Sequence, residues 1–261
     1  MNLGKVKTFL IVLFLGINIY LIASHFMATT FYVDDKTIDS TIEIIKGRGI
    51  EVDKDTVIKY TVNLKNVDTN NIIYTDGFDT KKSGYEISGD EFKIREESRD
   101  IYSKSDKAIH KEVKAFLEQS GFDTKHMKFS KISEQSDKKS FKIVCRIRDY
   151  EIFDSRINVN VDKNGYTLMG SWFEPQSDDT MMNSRSRKAV YITSVLMDLA
   201  ENEDAKKNLP FKITDIDYGY LSGTLYGGEG HVTATAQPCY RIKDNKSNVY
   251  YYDASDGTYI K

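Results

Sequence analysis

Two patterns of apolar residues divide this chain. From residue 8 to residue 33 there is no Asp, Glu, Lys or Arg, and from Phe9 to Met27 the sequence is almost continuously apolar. A helix needs about 20 residues to cross about 30 Å of hydrocarbon. Twelve Leu, Ile, Val or Phe residues fall between Phe9 and Phe26. At about −0.3 to −0.6 kcal/mol each, they favour insertion by roughly 4 to 7 kcal/mol before polar corrections. Residues 1–27 are therefore expected to form a cytoplasmic N-terminus and a single transmembrane anchor. Lys5 and Lys7 precede the span and the first acid is Asp34, so the positive-inside rule places everything after about Thr29 outside the cell membrane. The competing reading is a cleaved signal peptide. It requires a shorter apolar stretch and a small-x-small cleavage site, which Ala23-Ser24-His25 and Met27-Ala28-Thr29 match poorly.

Inside the span, helical spacing puts Ile11, Leu15, Asn18, Ile22 and His25 on one face. An amide in lipid gains from a partner, and interhelical hydrogen bonds of this kind contribute about 0.6 to 2 kcal/mol. Gly16, Tyr20 and Ser24 form a second stripe that allows close backbone approach. Both stripes point to a helix that docks on other helices, against the plainer alternative of a passive tether.

After residue 33 the periods become those of a globular protein. Ile38, Ile42 and Ile45 predict a helix over Asp35–Lys46, stopped by Gly47. Strand-like runs follow at Val57–Leu64, Ile72–Phe78 and Phe92–Glu96. A second helix is expected after Ser105, burying Ile109, Val113, Phe116 and Leu117 and ending at Gly121. Strands at Lys128–Ile132, Phe141–Arg148, Arg156–Val161 and Tyr166–Phe173 come next, with an Asn-Gly hairpin signal in Asp162-Lys163-Asn164-Gly165. A third helix is expected over Arg185–Glu201 after a Ser184 cap, burying Ala189, Ile192, Leu196 and Leu199. Strands near Phe211–Tyr220, Val232–Lys243, Val249–Asp253 and Thr258–Ile260 complete the chain. Helices each followed by several strands predict an α+β fold, with antiparallel sheets covered by a helix on one face. The expected division is 28–105 for a first extracytoplasmic domain and 106–261 for a second.

Composition narrows the function classes. The 261 residues carry a net charge of −2 and three prolines, and no basic tail or RNA-binding signature is present. Cys145 and Cys239 are the only cysteines, too few for a disulfide scaffold or zinc ribbon. Strand alternation sets Cys145 beside Phe141, Ile143 and Ile147, as a buried thiol; one disulfide to Cys239 is the alternative.

No catalytic motif emerges. Gly219-Tyr220-Leu221-Ser222-Gly223 lacks the nucleophile-elbow spacing. His25, His110, His126 and His231 show no metal-ligand spacing. Gly227-Gly228-Glu229-Gly230 has no following lysine or helix, and reads as a hairpin rather than a phosphate loop. The chain is thus expected to be no enzyme and to need no cofactor. One electrostatic feature stands out in the third predicted helix. Arg185, Arg187 and Lys188 fall in its first turn and Glu201, Glu203 and Asp204 at its end, both against the helix dipole. That basic cluster reads as either a solvated face or a patch for an acidic partner.

Three features resemble the YycH/YycI family, most nearly its YycI branch. They are the basic start and lone span Lys5-Val6-Lys7-Thr8-Phe9-Leu10-Ile11; the central run from Arg148 to Val161, ending Ile157-Asn158-Val159-Asn160-Val161; and the ending Pro238-Cys239-Tyr240-Arg241-Ile242 with Tyr250-Tyr251-Tyr252-Asp253. The ending is also similar to PepSY-like domains. The resemblance implies a single-span regulator without catalytic residues. It implies as partners a sensor histidine kinase of the YycG/WalK kind and a YycH-like membrane protein, with contacts through the membrane helices adjusting kinase output and cell-wall metabolism in Gram-positive bacteria. A PepSY-like binding or protease-inhibitory module and a cell-envelope hydrolase are the rival readings.

Overall fold

The computed structural model describes residues 3–29, 32–59, 62–65, 72–74, 85–88, 91–98, 100–135, 137–175, 186–228 and 231–261. It is a mixed α+β structure whose residues fall into two compact units. Unit 1 comprises Met1–Leu64, Lys188–Ile216 and Lys243–Asn248; unit 2 comprises Lys65–Arg187, Asp217–Ile242 and Val249–Lys261.

Unit 1 begins with helix α1, Leu3–Thr29. Helix α2, Asp35–Gly47, starts where the Asp34 carboxylate accepts from the Thr37 N–H at 2.7 Å. This cap satisfies one of the donors that every helix start leaves open. Ile38 and Ile45 are fully buried, as their spacing predicts, and the helix runs through Gly47 to a cap at Arg48. Strand β1, Ile50–Val52, pairs in parallel with the start of β12, Phe211–Gly228, with Ile50 opposite Phe211.

Helix α4 corrects the sequence reading. It spans Ile192–Glu201 with Tyr191 as its N-cap, and Ser186–Lys188 is instead a strand, β11. Ala189 is buried but lies outside the helix, its N–H bonded to the Val62 carbonyl at 3.1 Å. Apolar spacing continues through Ala189, but a backbone already hydrogen-bonded as a strand cannot also close helical bonds. Ser184 lies outside the described residues. The far end also differs. Asn202 is extended and its side chain accepts from the Asp204 and Ala205 N–H groups, opening a one-turn helix α5, Glu203–Lys206. Glu203 and Asp204 thus sit at a helix start, where the dipole favours acids. Glu201 is paired with Arg48 and, at 3.6 Å, with Lys206.

Unit 2 is built on β5 (Glu91–Glu97), β6 (Met127–Gln135), β7 (Lys138–Ile147), β8 (Tyr150–Asp162) and β9 (Gly165–Ser171). Antiparallel pairing gives the order β6-β7-β8-β9-β5. The hairpin expected at Asp162-Lys163-Asn164-Gly165 forms between β8 and β9, but Lys163 and Asn164 are its turn residues and Gly165 already pairs with Asp162. Gly165 has φ 151°, and a Cβ there would meet the Glu96 carbonyl at 2.1 Å. Helix α3, Asp106–Gln119, is capped by Ser105, whose hydroxyl accepts from the Ala108 N–H. It ends before Gly121 at φ 92°, a left-handed stop suited to glycine. Ile109, Val113 and Leu117 of α3 are buried in one core with Phe92, Phe141, Ile157, Val159 and Leu168, a helix on a sheet face.

Two expectations about this sheet change. It is not purely antiparallel, since β12 meets β8 in parallel at Tyr220–Ile152. Nor do contacts separate at residue 105: β5, from the expected first domain, is in register with β9, Phe92 opposite Gly170 and Glu97 opposite Gly165. Among the described residues, the predicted Val57–Leu64 run is a strand at Asn63–Lys65, and Ile72–Phe78 at Ile72–Tyr74. Residues 60, 61 and 75–78 lie outside the described residues, as do Glu229 and Gly230 of the glycine hairpin.

Candidate functional site

The predicted docking face lies on α1, a continuous helix, so the spacing that gathers Ile11, Leu15, Asn18, Ile22 and His25 is realised in its backbone. Ile11, Leu15 and Ile22 are 62%, 56% and 58% exposed. The Asn18 amide donates to the Phe14 carbonyl one turn back, at 2.9 Å. One of its two N–H donors is therefore satisfied within α1, and its second N–H and its oxygen are the groups left to offer. The second stripe borders a recess of about 400 Å³ lined by Val12, Leu13, Gly16, Ile17 and Tyr20. Ser24 turns its hydroxyl back onto the Leu21 carbonyl. The His25 side chain is outside the described residues. Side chains of α1 are described at Lys7 and from Leu10 to Ser24; among the described residues no helix is long and apolar enough to cross a membrane.

The predicted basic patch is not assembled as expected. Arg187 and Lys188 belong to strand β11, Lys188 exposed, and Arg185 is outside the described residues. A strand does not gather consecutive residues on one side as a helical first turn does.

The sequence reading missed a polar groove of about 280 Å³ in unit 2. Asp154, Arg156 and Asn158 are alternate residues of β8 and contribute its floor, beside Met169, Gly170 and Ser171 of β9. Phe153, Leu221, Tyr251 and Lys261 line it as well, with Glu91 from the start of β5. Phe153 and Leu221 are held in place by a small buried cluster with Cys239. The one local signal was the polar alternation of Asp154, Arg156 and Asn158, which also describes any solvated strand face.

Charges around the groove are unequally committed. Asp154 accepts from the Ser222 N–H at 3.0 Å through both oxygens, and from the Ser222 hydroxyl. Arg241 lies over Phe153, 3.9 Å from the ring centre, and is paired with Asp217 at 2.6 Å and Glu151 at 3.5 Å. Glu151 is shared with Lys142 at 3.1 Å.

Elsewhere in unit 2, burial drives the titration chemistry. Both thiols are free and buried, and burial pushes both well above the usual thiol range; neither is a ready nucleophile. Burial also raises the Glu174 carboxyl, although it accepts from the Asp123 N–H at 3.0 Å and Trp172 Nε1 at 3.2 Å. Burial lowers His110, whose ring lies 4.6 Å from Phe129 and 5.1 Å from Phe141. Among the described residues no cluster of His, Cys, Asp and Glu is placed to hold a metal.

No protein-family model matches the chain. No curated protein matches it either. Among solved structures it is similar to an uncharacterized protein from Eubacterium rectale ATCC 33656, at 8% identity and TM-score 0.44, over 87% of this chain and 80% of that one. It is also similar to the Bacillus megaterium YpeB C-terminal domain, at 10% identity and TM-score 0.30, over 88% and 96%. At these TM-scores neither likeness carries an argument about function.

Proposed function

We propose that this chain is a membrane-anchored regulator, of the YycI kind, that modulates a cell-wall sensor histidine kinase of the YycG/WalK kind together with a YycH-like protein. The N-terminus is cytoplasmic in this reading, and the α+β portion that follows α1 acts outside the cell membrane in binding, without catalysis.

One observation carries the reading: the described apolar side chains of α1 are exposed. Leu10, Ile11, Val12, Leu13, Phe14 and Leu15 are each 48% to 69% accessible. Fully burying one such side chain is worth about 1.5–3 kcal/mol, so a helix of this kind in water carries a large penalty that lipid removes. The helix is 27 residues long, about 40 Å at 1.5 Å per residue. Asn18 adds an amide oxygen on one face of an otherwise apolar surface, a group that gains from a donor on a neighbouring span.

The test has two steps. Full-length protein is fractionated from cells and its membranes washed in alkaline carbonate. Recovery in the wash, rather than in the pellet, refutes anchoring. Kinase output is then read from a reporter in cells carrying Asn18→Leu or a foreign span of equal length. A changed output with unaltered protein level supports regulation through the helix. Unchanged output in both variants reduces α1 to a tether and overturns the regulatory reading.

A further inference from the structure

The groove in unit 2 carries an inference independent of the kinase reading. Its volume of about 280 Å³ is close to the lower end, roughly 300 Å³, of small-molecule sites. Its geometry is fixed from several directions. Register places Ser171 opposite Arg156 and Met169 opposite Asn158, so β8 and β9 present these four as one surface. Phe153 and Tyr251 stand with ring centres 5.9 Å apart, and the Lys261 ammonium sits 5.4 Å from the Tyr251 ring centre. The Tyr251 N–H donates to the Lys261 carbonyl at 2.8 Å, which ties that segment to the wall.

The ligand class follows from which charged groups are occupied, since the charges of the lining balance. Asp154 is already committed to the Ser222 N–H and hydroxyl. Arg156 is exposed and, among the described residues, makes no ion pair. Lys261 meets the face of an aromatic ring and, among the described residues, no carboxylate side chain. The lining therefore holds two cations, Arg156 and Lys261, and two carboxylates, Asp154 and Glu91, and among the described residues Arg156 is the guanidinium that no carboxylate occupies. A guanidinium matches a carboxylate or phosphate with two parallel hydrogen bonds, a geometry that an ammonium cannot supply.

We propose that this groove binds a ligand carrying an oxyanion, phosphate or carboxylate, on an apolar or aromatic body. Arg156 takes the oxyanion, Asn158 and Ser171 supply neutral groups beside it, and the body lies against Met169, which is 42% exposed, and Tyr251.

The experiment uses the full chain in a neutral detergent and isothermal titration with three probes: phenyl phosphate, benzoate and benzyl alcohol. The expected result is saturable binding of at least one anion, at least tenfold tighter than benzyl alcohol. Arg156→Gln weakens that binding at least tenfold, while Lys128→Gln on the exposed strand β6 leaves it unchanged. Preference for phenyl phosphate or for benzoate identifies the oxyanion as phosphoryl or carboxyl. If Arg156→Gln loses the circular dichroism of the sheet, Asn158→Leu on the same face replaces it and should weaken binding severalfold. Saturation by neither anion, equal binding of benzyl alcohol, or wild-type affinity in the folded Arg156 or Asn158 variant overturns the proposal.

Discussion

Replacing Arg241 by Met tests whether a half-sequestered charge network supports unit 2. The Arg241 side chain is 12% exposed, donates to Asp217 Oδ2 through two nitrogens at 2.6 and 3.2 Å, and lies 3.9 Å from the Phe153 ring centre. Methionine keeps much of the stem and loses the fork. The stacked cation contributes about 2 kcal/mol when shielded from water. Removing one partner of a fully buried pair costs about 3–5 kcal/mol, but that figure does not apply here. The Asp217 side chain is 36% exposed and reaches water, and Glu151 keeps Lys142 at 3.1 Å. The ionic part is then nearer 1 kcal/mol, and the expected total is about 2–3 kcal/mol. Arg241→Lys keeps the charge without the planar fork, and should fall between the two. The assay is urea denaturation of the full chain in detergent, followed by circular dichroism at neutral pH. A loss under about 0.5 kcal/mol, the range of ordinary surface changes, would show that Arg241 is a solvated charge and refute the reasoning.

Two further predictions concern pH, and their signs are opposite. Burial holds the Glu174 carboxyl above the usual range, so its contribution is complete while it is protonated and declines as pH rises through its folded value. Glu174→Gln keeps an oxygen for Trp172 and the Asp123 N–H, so the variant should gain stability relative to the wild type from about pH 4 towards pH 8; parallel stability curves exclude this. Asp162 lies below the usual range because Arg95 grips it at 2.8 and 2.9 Å, with burial opposing and the Asn164 N–H assisting. Its contribution is present above the unfolded value, near pH 4, and is lost as pH falls through the lower folded value. Asp162→Asn should therefore cost about 1 kcal/mol at pH 7 and progressively less in acid. A cost independent of pH in thermal melts between pH 2 and pH 7 removes the ion pair from the explanation.

The features that could be read along the chain are local. Ser105 as cap, Gly121 as stop, the Ile109-Val113-Leu117 stripe and the hairpin turn from Asp162 to Gly165 each depend on bonds closed within a few residues, so the pattern that predicts them also makes them. The placement of Cys145 beside Phe141, Ile143 and Ile147 follows in the same way from strand alternation. Tertiary structure decided the rest. Whether residues 186–191 continue a helix depended on a hydrogen bond from Ala189 to Val62, more than a hundred positions away. The parallel meeting of β8 with β12, Ile152 beside Tyr220, and the pairing of β5 with β9, Phe92 opposite Gly170, set the sheet order between residues also far apart in sequence. The groove belongs to this second class. Arg156 and Asn158 look like any solvated strand face until β9, Leu221 and Tyr251 are brought around them. Spacing along a chain encodes which face a residue shares, while partners distant in sequence are selected by the burial that only the whole fold provides.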